Sequence, residues 1–270
     1  MLSSLPRTAY LFIHHNQIES IQLTVSDFIK VSDANSLFVL VDNSEDDYLQ
    51  KRLKEILAKE HWPVELLIIQ NNGYGHAANF GLEYIQVNYP HIDHVVIITH
   101  DVRYISGEIS ILTQALDSNR KMVLIGPRVI NSNFFSSDEP RIWSDGGRLT
   151  PILKRPIHLN FGKVVNTRTD SNYVTWLDGC FMAIDLRKLQ KVQFDIEYFM
   201  YLEDVDFCIQ LGRAGLKIGH TPLFAVSQES LGVPPRVFSK NYLRFIEKFF
   251  PSRLLLARLA LLVRGLWQQK

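Results

Sequence analysis

Cysteine is scarce here: Cys180 and Cys208 are the only two, and they do not stand in a C-x-x-C spacing. A disulfide framework is not indicated, which fits a reducing cytosol. Excess charge is absent as well. Lys and Arg number 29 against 28 Asp and Glu, so no global field draws the chain to nucleic acid. Long apolar runs are also missing. No stretch reaches the roughly 18 apolar residues of a membrane-spanning helix. The opening "MLSSLPRTAYLFIHH" holds an apolar piece of about five residues, too short for a signal-peptide core. No internal repeat or low-complexity tract stands out, and 21% charged with 46% hydrophobic residues excludes wholesale disorder.

What is present has a rhythm. The runs "AYLFI" (9–13), "LFVLV" (37–41), "ELLII" (65–69), "VVIIT" (95–99) and "MVLIG" (122–126) are nearly all apolar. Runs without alternation suit strands buried on both faces. The segments 45–60, 75–89 and 107–119 between them can hold crossover helices. This predicts an α/β fold with a mostly parallel central sheet and helices on both faces. From 131 to 173 the text turns rich in Ser, Asn, Asp, Gly and Pro, which predicts a long excursion with one hairpin. Strand-like text resumes at "FMAI" (181–184) and "LFAV" (223–226).

In open α/β sheets, ligands bind beyond the carboxyl ends of the strands. Here those ends read "HHN" (14–16), "DNSEDD" (42–47), "QNNGYGHAANFG" (70–81), "HDVRY" (100–104) and "GPR" (126–128). Asp42 can accept an N–H from a uracil- or thymine-like base edge, or cap a helix, as Ser44 and Asp46 also can. The glycines around Tyr74 allow close approach of backbone to a ligand, and the helix after them favours phosphate. Ala78 stands where the dinucleotide fingerprint needs its third glycine, so a Rossmann dehydrogenase is disfavoured. Asp101 is either a turn residue or one carboxylate for a hard divalent ion such as Mg²⁺ or Mn²⁺.

"YFMYLEDVDF" (198–207) crowds acids against aromatics. On a helix starting near Leu202, Glu203, Asp206, Gln210 and Arg213 share one polar face, as solvated or structural acids, while Asp204 points inward. The helix N-terminus stabilises a carboxylate there, which suits an ionised base or a buried acid that satisfies backbone N–H groups. Upstream, in "WLDGCFMAID", Gly179 allows a close turn, and Trp176 and Asp178 offer a sugar-binding floor or ordinary core.

The order "FVLVDNSEDD", "NNGYGHAANFGLEYI", "ITHDV", "GPRVI" and "WLDGCFMAIDLRKLQKVQFDIEYFMYLEDVDFCIQLGRAGLKI" resembles glycosyltransferase family 2, in its rhamnosyltransferase-like branch, over roughly 8–245. The resemblance implies a GT-A type fold and an inverting transfer from a nucleotide-diphosphate sugar, UDP- or dTDP-linked, to a glycan or glycolipid hydroxyl. Donor binding would fall to Asn16, Asp42, Asn72, Gly73, Asn79 and Asp101. Asp204 would be the catalytic base. Trp176, Asp178, Gly179, Tyr201 and Glu203 would line the acceptor site. Mn²⁺ or Mg²⁺ would sit at Asp101. Thr99 replaces the first acid of the family's metal motif, and Gln228 or Ser227 stands near its usual histidine, so Gln228 is the second metal candidate. An alternative with the same fold is a catalytically weakened sugar-nucleotide-binding protein. No Gln-x-x-Arg-Trp motif occurs, which implies single sugar addition. A nucleotidyltransferase is disfavoured, because "LFIHHNQIES" lacks a glycine-rich basic loop.

The expected organisation is a GT-A domain over 1–245, with a nucleotide-sugar half to about 130 and an acceptor half over 131–245. A helical extension over 246–270 follows. Within it "PSRLLLARLALLVRGLW" (251–267) is apolar almost all round and broken by arginines. It is expected to pack on its own domain, pair with a second subunit, or lie on the inner face of a membrane as a peripheral contact.

Overall fold

The computed structural model describes residues 7–131, 139–165, 170–229 and 234–267, with side chains to 263 in the last segment. Parts of the excursion, 132–138 and 166–169, lie outside the described residues. The nucleotide half alternates as expected. It runs β1 (Thr8–His14), α1 (Ile18–Val31), β2 (Leu37–Asp42), α2 (Asp47–Lys59), β3 (Val64–Ile68), α3 (Tyr74–Asn88) and β4 (His94–Thr99). β4, β1, β2 and β3 lie side by side, all parallel. In β1, Ala9, Leu11 and Ile13 enter one core layer, and Tyr10 and Phe12 enter the other. Both faces of the strand are therefore covered, which is why its text does not alternate.

A short β5 (Val102–Ser106) and α4 (Ile109–Ser118) lead to the long β6 (Met122–Asn131). The excursion holds β7 (Ile142–Ser144), the hairpin of β8 (Gly147–Leu149) with β9 (Pro156–His158), and β10 (Asn172–Val174). The second half adds β11 (Phe181–Asp185), α5 (Glu203–Arg213), β12 (Lys217–Gln228), α6 (Pro235–Phe249) and α7 (Leu254–Trp267). β4 and β6 are not neighbours in the sheet. β11 inserts between them, antiparallel to both. The chain thus returns from the excursion in the opposite direction, which brings residues 178–180 next to the carboxyl end of β4. The ten-stranded sheet remains parallel at β1–β4 and between β6 and β12.

The boundary drawn at 245 falls inside α6, whose Phe245, Ile246 and Phe249 are buried in the main core. Of the C-terminal extension, α7 alone follows the body of the domain.

Candidate active site

At the carboxyl ends of β1 and β2, His14 and Asp42 are register partners, and both are fully buried. His14 Nδ1 lies 2.9 Å from Asp42 Oδ1, and the Gln17 backbone N–H donates to His14 Nε2 at 3.0 Å. These bonds fix one neutral tautomer, in which Nδ1–H donates to the carboxylate. Burial pushes the Asp42 carboxyl up. Hydrogen bonds from His14 and Ser44 outweigh it and hold the group below the ordinary carboxylate value. Its Oδ2 is buried without a hydrogen-bond partner. The helix cap is Asp46, which accepts the N–H groups of Tyr48 and Leu49, so Asp42 is not the cap.

The loops after these strands are stitched together. The Asn16 backbone, at φ 54°, donates to Ser44 Oγ at 2.7 Å, and the Asn16 side chain reaches His15. Asn71 Oδ1 accepts from Asn43 Nδ2 at 3.3 Å and from the Gly73 N–H at 3.2 Å. Asn72 is exposed at the rim. Gly73 has φ 90°, and a Cβ there would overlap the carbonyl of Phe199. The next N–H, of Tyr74, donates to that carbonyl at 3.0 Å. Gly73 is thus needed for the close approach of the 198–201 strap, alongside any ligand role. Asn79, expected at the donor site, has a place in the fold. Its amide is used in both directions on the Phe194 backbone, at 2.9 Å each way.

Beyond β4, Thr99 Oγ1 donates to Asp101 Oδ1 at 2.6 Å, and Gln228 Nε2 donates to Asp101 Oδ2 at 3.0 Å. The fold therefore brings together two residues 127 positions apart that the sequence had paired as metal candidates. Gln228 presents its Nε2 to Asp101; with the amide rotated, its Oε1 would join the carboxylate as a second hard oxygen donor, a pair that would suit Mg²⁺ or Mn²⁺ once phosphates complete the shell. A different cluster, His94, Asp117 and Asp185, has ligand atoms within 4.8 Å of one another, but at the opposite end of β4. Arg187 already contacts Asp117 at 2.5 Å and Asp185 at 2.7 Å, and Lys188 contacts Asp185 at 2.8 Å. Resident cations neutralise that cluster.

The Thr99 N–H donates to the Cys180 carbonyl at 2.9 Å, tying the Asp101 turn to the 178–180 segment. There Asp204 Oδ2 accepts the Gly179 N–H at 3.0 Å, and Oδ1 accepts the Val205 N–H at 2.7 Å. Burial first, then the charge of Asp178, push the Asp204 carboxyl up to about 6, against the pull of those N–H groups. Such a group is ionised near neutrality yet basic enough to accept a proton from a hydroxyl.

Of the two readings for Glu203 and Asp206, solvated or structural, the solvated one falls: both are buried. Asp206 is satisfied by Tyr198 Oη at 2.9 Å, Gln210 Nε2 at 2.6 Å and Lys248 Nζ at 2.9 Å. Glu203 differs: its Oε2 is buried without a hydrogen-bond partner among the described residues. Burial, then the neighbouring Asp204, push the Glu203 carboxyl well above its ordinary value.

Of the expected floor, Asp178 and Gly179 are at the site. Trp176 is a buried wedge whose ring would strike a Cβ on Gly147 and whose Nε1 donates to the Arg148 carbonyl at 3.3 Å. Tyr201 is half-buried at φ 71°, with its carbonyl accepting from Asn241 at 2.9 Å. Two residues were missed. Tyr74 Oη donates to the Gly179 carbonyl at 2.6 Å. His158, from β9, places Nδ1 3.3 Å from Asp178 Oδ1. The glycines on either side of Tyr74 hinted at the first. Nothing local pointed to the second, because the hairpin carries it in from the excursion.

The family model for glycosyl transferase family 2 matches residues 11–173. Rhamnosyltransferase WbbL of Escherichia coli (strain K12) is 22% identical over 219 residues, 69% of this chain and 80% of that protein. The crystal structure of GalNAc-T7 with UDP, GalNAc and Mn²⁺ superposes with a TM-score of 0.70 at 15% identity, over 91% of this chain and 48% of that one. Mannosyltransferase PcManGT from Pyrobaculum calidifontis, in complex with GDP-Man and Mn²⁺, gives 0.54 at 16% identity, over 97% of this chain and 65% of that one. This chain thus spans about half the length of the first structure and under two thirds of the second. Together these likenesses establish the GT-A type fold.

Proposed function

Since the chain belongs to glycosyl transferase family 2, we propose that it moves one sugar at a time from a nucleoside-diphosphate sugar to a hydroxyl of a glycan or glycolipid, with inversion at the anomeric carbon. The donor half extends to about residue 130, and the acceptor half follows it. Asp42, with its free buried oxygen, reads the N–H edge of a uracil or thymine. The loops at Asn16 and at Asn72 and Gly73 border the ribose and diphosphate. Similarity to a rhamnosyltransferase makes a dTDP-linked deoxyhexose the first donor to try, beside UDP-sugars.

The observation that carries this reading is the Asp204 carboxylate, held by two backbone N–H groups and pushed up to about 6 at the mouth of the strand ends. Asp204 takes the proton from the acceptor hydroxyl. The oxygen attacks the anomeric carbon from the face opposite the nucleoside diphosphate, whose bond breaks as the new one forms. Asp101 and Gln228 would hold a divalent ion, whose chemistry is to stabilise charge on the departing diphosphate. Gly179, positioned by Tyr74, keeps Asp204 in place, and Asp178 keeps its basicity high.

The test is Asp204→Asn, assayed for donor binding by calorimetry and for transfer with a panel of UDP- and dTDP-sugars. Binding within a factor of about two with turnover reduced by about 10² or more is expected. Near-normal turnover would sink the assignment. Thr99 and Gln228, in place of an acid and a histidine, favour a second reading, a binder that does not transfer. Donor binding by the unmodified protein without any product would select it.

A further inference from the structure

α7 turns Leu254, Ala257 and Leu261 toward the domain, and Ala257 is fully buried. Its other side is left open. Leu255, Leu256, Leu259, Leu262 and Val263 are 39–72% exposed. Leu255, Leu259 and Leu262 follow the i, i+4, i+7 spacing that lines one helical face. The charges around this stripe have one sign. Residues 251–270 contain Arg253, Arg258, Arg264 and Lys270 and no Asp or Glu. α6 adds Arg236, Lys240, Arg244 and Lys248 against Glu247 alone. Arg244 and Lys248 face inward to Asp195. Arg236, Lys240, Arg253 and Arg258 are exposed. The whole chain is balanced at +1, so this end concentrates its positive charge.

We infer that the outer face of α7 docks on a bilayer surface containing anionic phospholipid, lying flat with its leucines among the acyl chains and Arg253 and Arg258 at the phosphates. As described, α7 is too short to span, since 14 residues rise about 21 Å, and among the described residues no helix is long and apolar enough to cross a membrane. A second copy of α7 fits the leucine spacing but not the charge. Pairing would set arginines of one helix beside those of the other, with no acid in the segment to offset them. An anionic surface removes that conflict and rewards the same cations. The inference goes beyond the transferase reading and does not depend on it.

The test uses the full chain in vesicle flotation, with phosphatidylcholine alone or mixed with phosphatidylglycerol, at low and high salt. Two variants accompany it, Leu255→Gln/Leu259→Gln/Leu262→Gln and Arg253→Glu/Arg258→Glu. All five side chains are solvent-exposed, and unchanged circular dichroism and Tm confirm that each variant folds. The unmodified protein floats with the anionic vesicles and is released by salt, and each variant loses at least about tenfold in partitioning. Failure to float with anionic vesicles overturns the inference, as does equal partitioning onto neutral ones. So does a dimer in sedimentation velocity that the leucine variant converts to monomer, because the face would then belong to a second copy.

Discussion

Asp204 accepts the backbone N–H of Gly179 at 3.0 Å, so the proposed base hangs on the segment that enters β11. A Cβ on Gly179 would lie 3.3 Å from both Asp204 Cβ and the Tyr74 ring. Position and basicity share a cause. The contact that fixes the carboxylate also brings it beside Asp178, whose charge, after burial, lifts it to about 6.

The pH profile of transfer follows. A carboxyl raised to about 6 is ionised above that pH and protonated below it. Only the ionised form can take the hydroxyl proton. The logarithm of kcat/KM is expected to fall with unit slope below about pH 6, not below the ordinary aspartate value of about 3.9. Asp178→Asn removes a neighbouring negative charge and moves the limb to lower pH. An unmoved limb in that variant would show that another group titrates.

Glu203 provides the contrast. Its carboxyl is pushed well above the ordinary value by burial and then by Asp204, which favours the neutral form. Glu203→Gln keeps the shape of that form. Turnover is expected within about threefold of the unmodified enzyme, against the loss of about 10² for Asp204→Asn. A loss as deep as that of Asp204→Asn would make Glu203 the proton acceptor.

Asn79 and Gly73 separate holding the fold from binding the donor. Asn79→Ala strips two hydrogen bonds from the Phe194 backbone, costing about 1–3 kcal/mol in urea unfolding. Gly73→Ala forces a Cβ onto the Phe199 carbonyl at φ 90°, and its cost is at least as large, about 2–4 kcal/mol. Once folded, the Asn79 variant keeps its donor affinity. A large affinity loss with unchanged stability would restore Asn79 to the donor site.

Much of this was legible in the sequence because strands buried on both faces write uninterrupted apolar text, and because ligand-facing residues follow directly from the ends of such strands. Asp42 and Asp101 were singled out that way, and Asp204 by its place on the inward side of a helix starting near Leu202. The insertion of β11 between β4 and β6 was not, since an apolar run carries no sign of its direction. Glu203 and Asp206 were left between solvated and structural because a helical wheel describes one helix alone. The cover on their face comes from α6, some 30 residues later, and its cation Lys248 is what makes burial of Asp206 tolerable. His158 stayed hidden for a similar reason, its role depending on where a hairpin in the excursion comes to rest.

The His14–Asp42 pair joins stability to recognition. With the folded Asp42 carboxyl held below its ordinary value, its stabilising contribution is fully present above the unfolded pKa, about 3.9. It is lost as pH falls through the lower folded value. His14→Phe removes the Nδ1–H donor and leaves the Asp42 carboxylate to the hydrogen bonds from Ser44. Unfolding in urea is expected to show a loss of about 1–3 kcal/mol near neutral pH, shrinking as the carboxylate is protonated. The same variant frees Asp42 to rotate, so the affinity for UDP or dTDP should fall by about tenfold, roughly 1.4 kcal/mol. A GDP control, whose base presents a different edge, should change less. Equal losses for all three nucleotides would mean that His14 shapes the pocket as a whole and that Asp42 does not read the base.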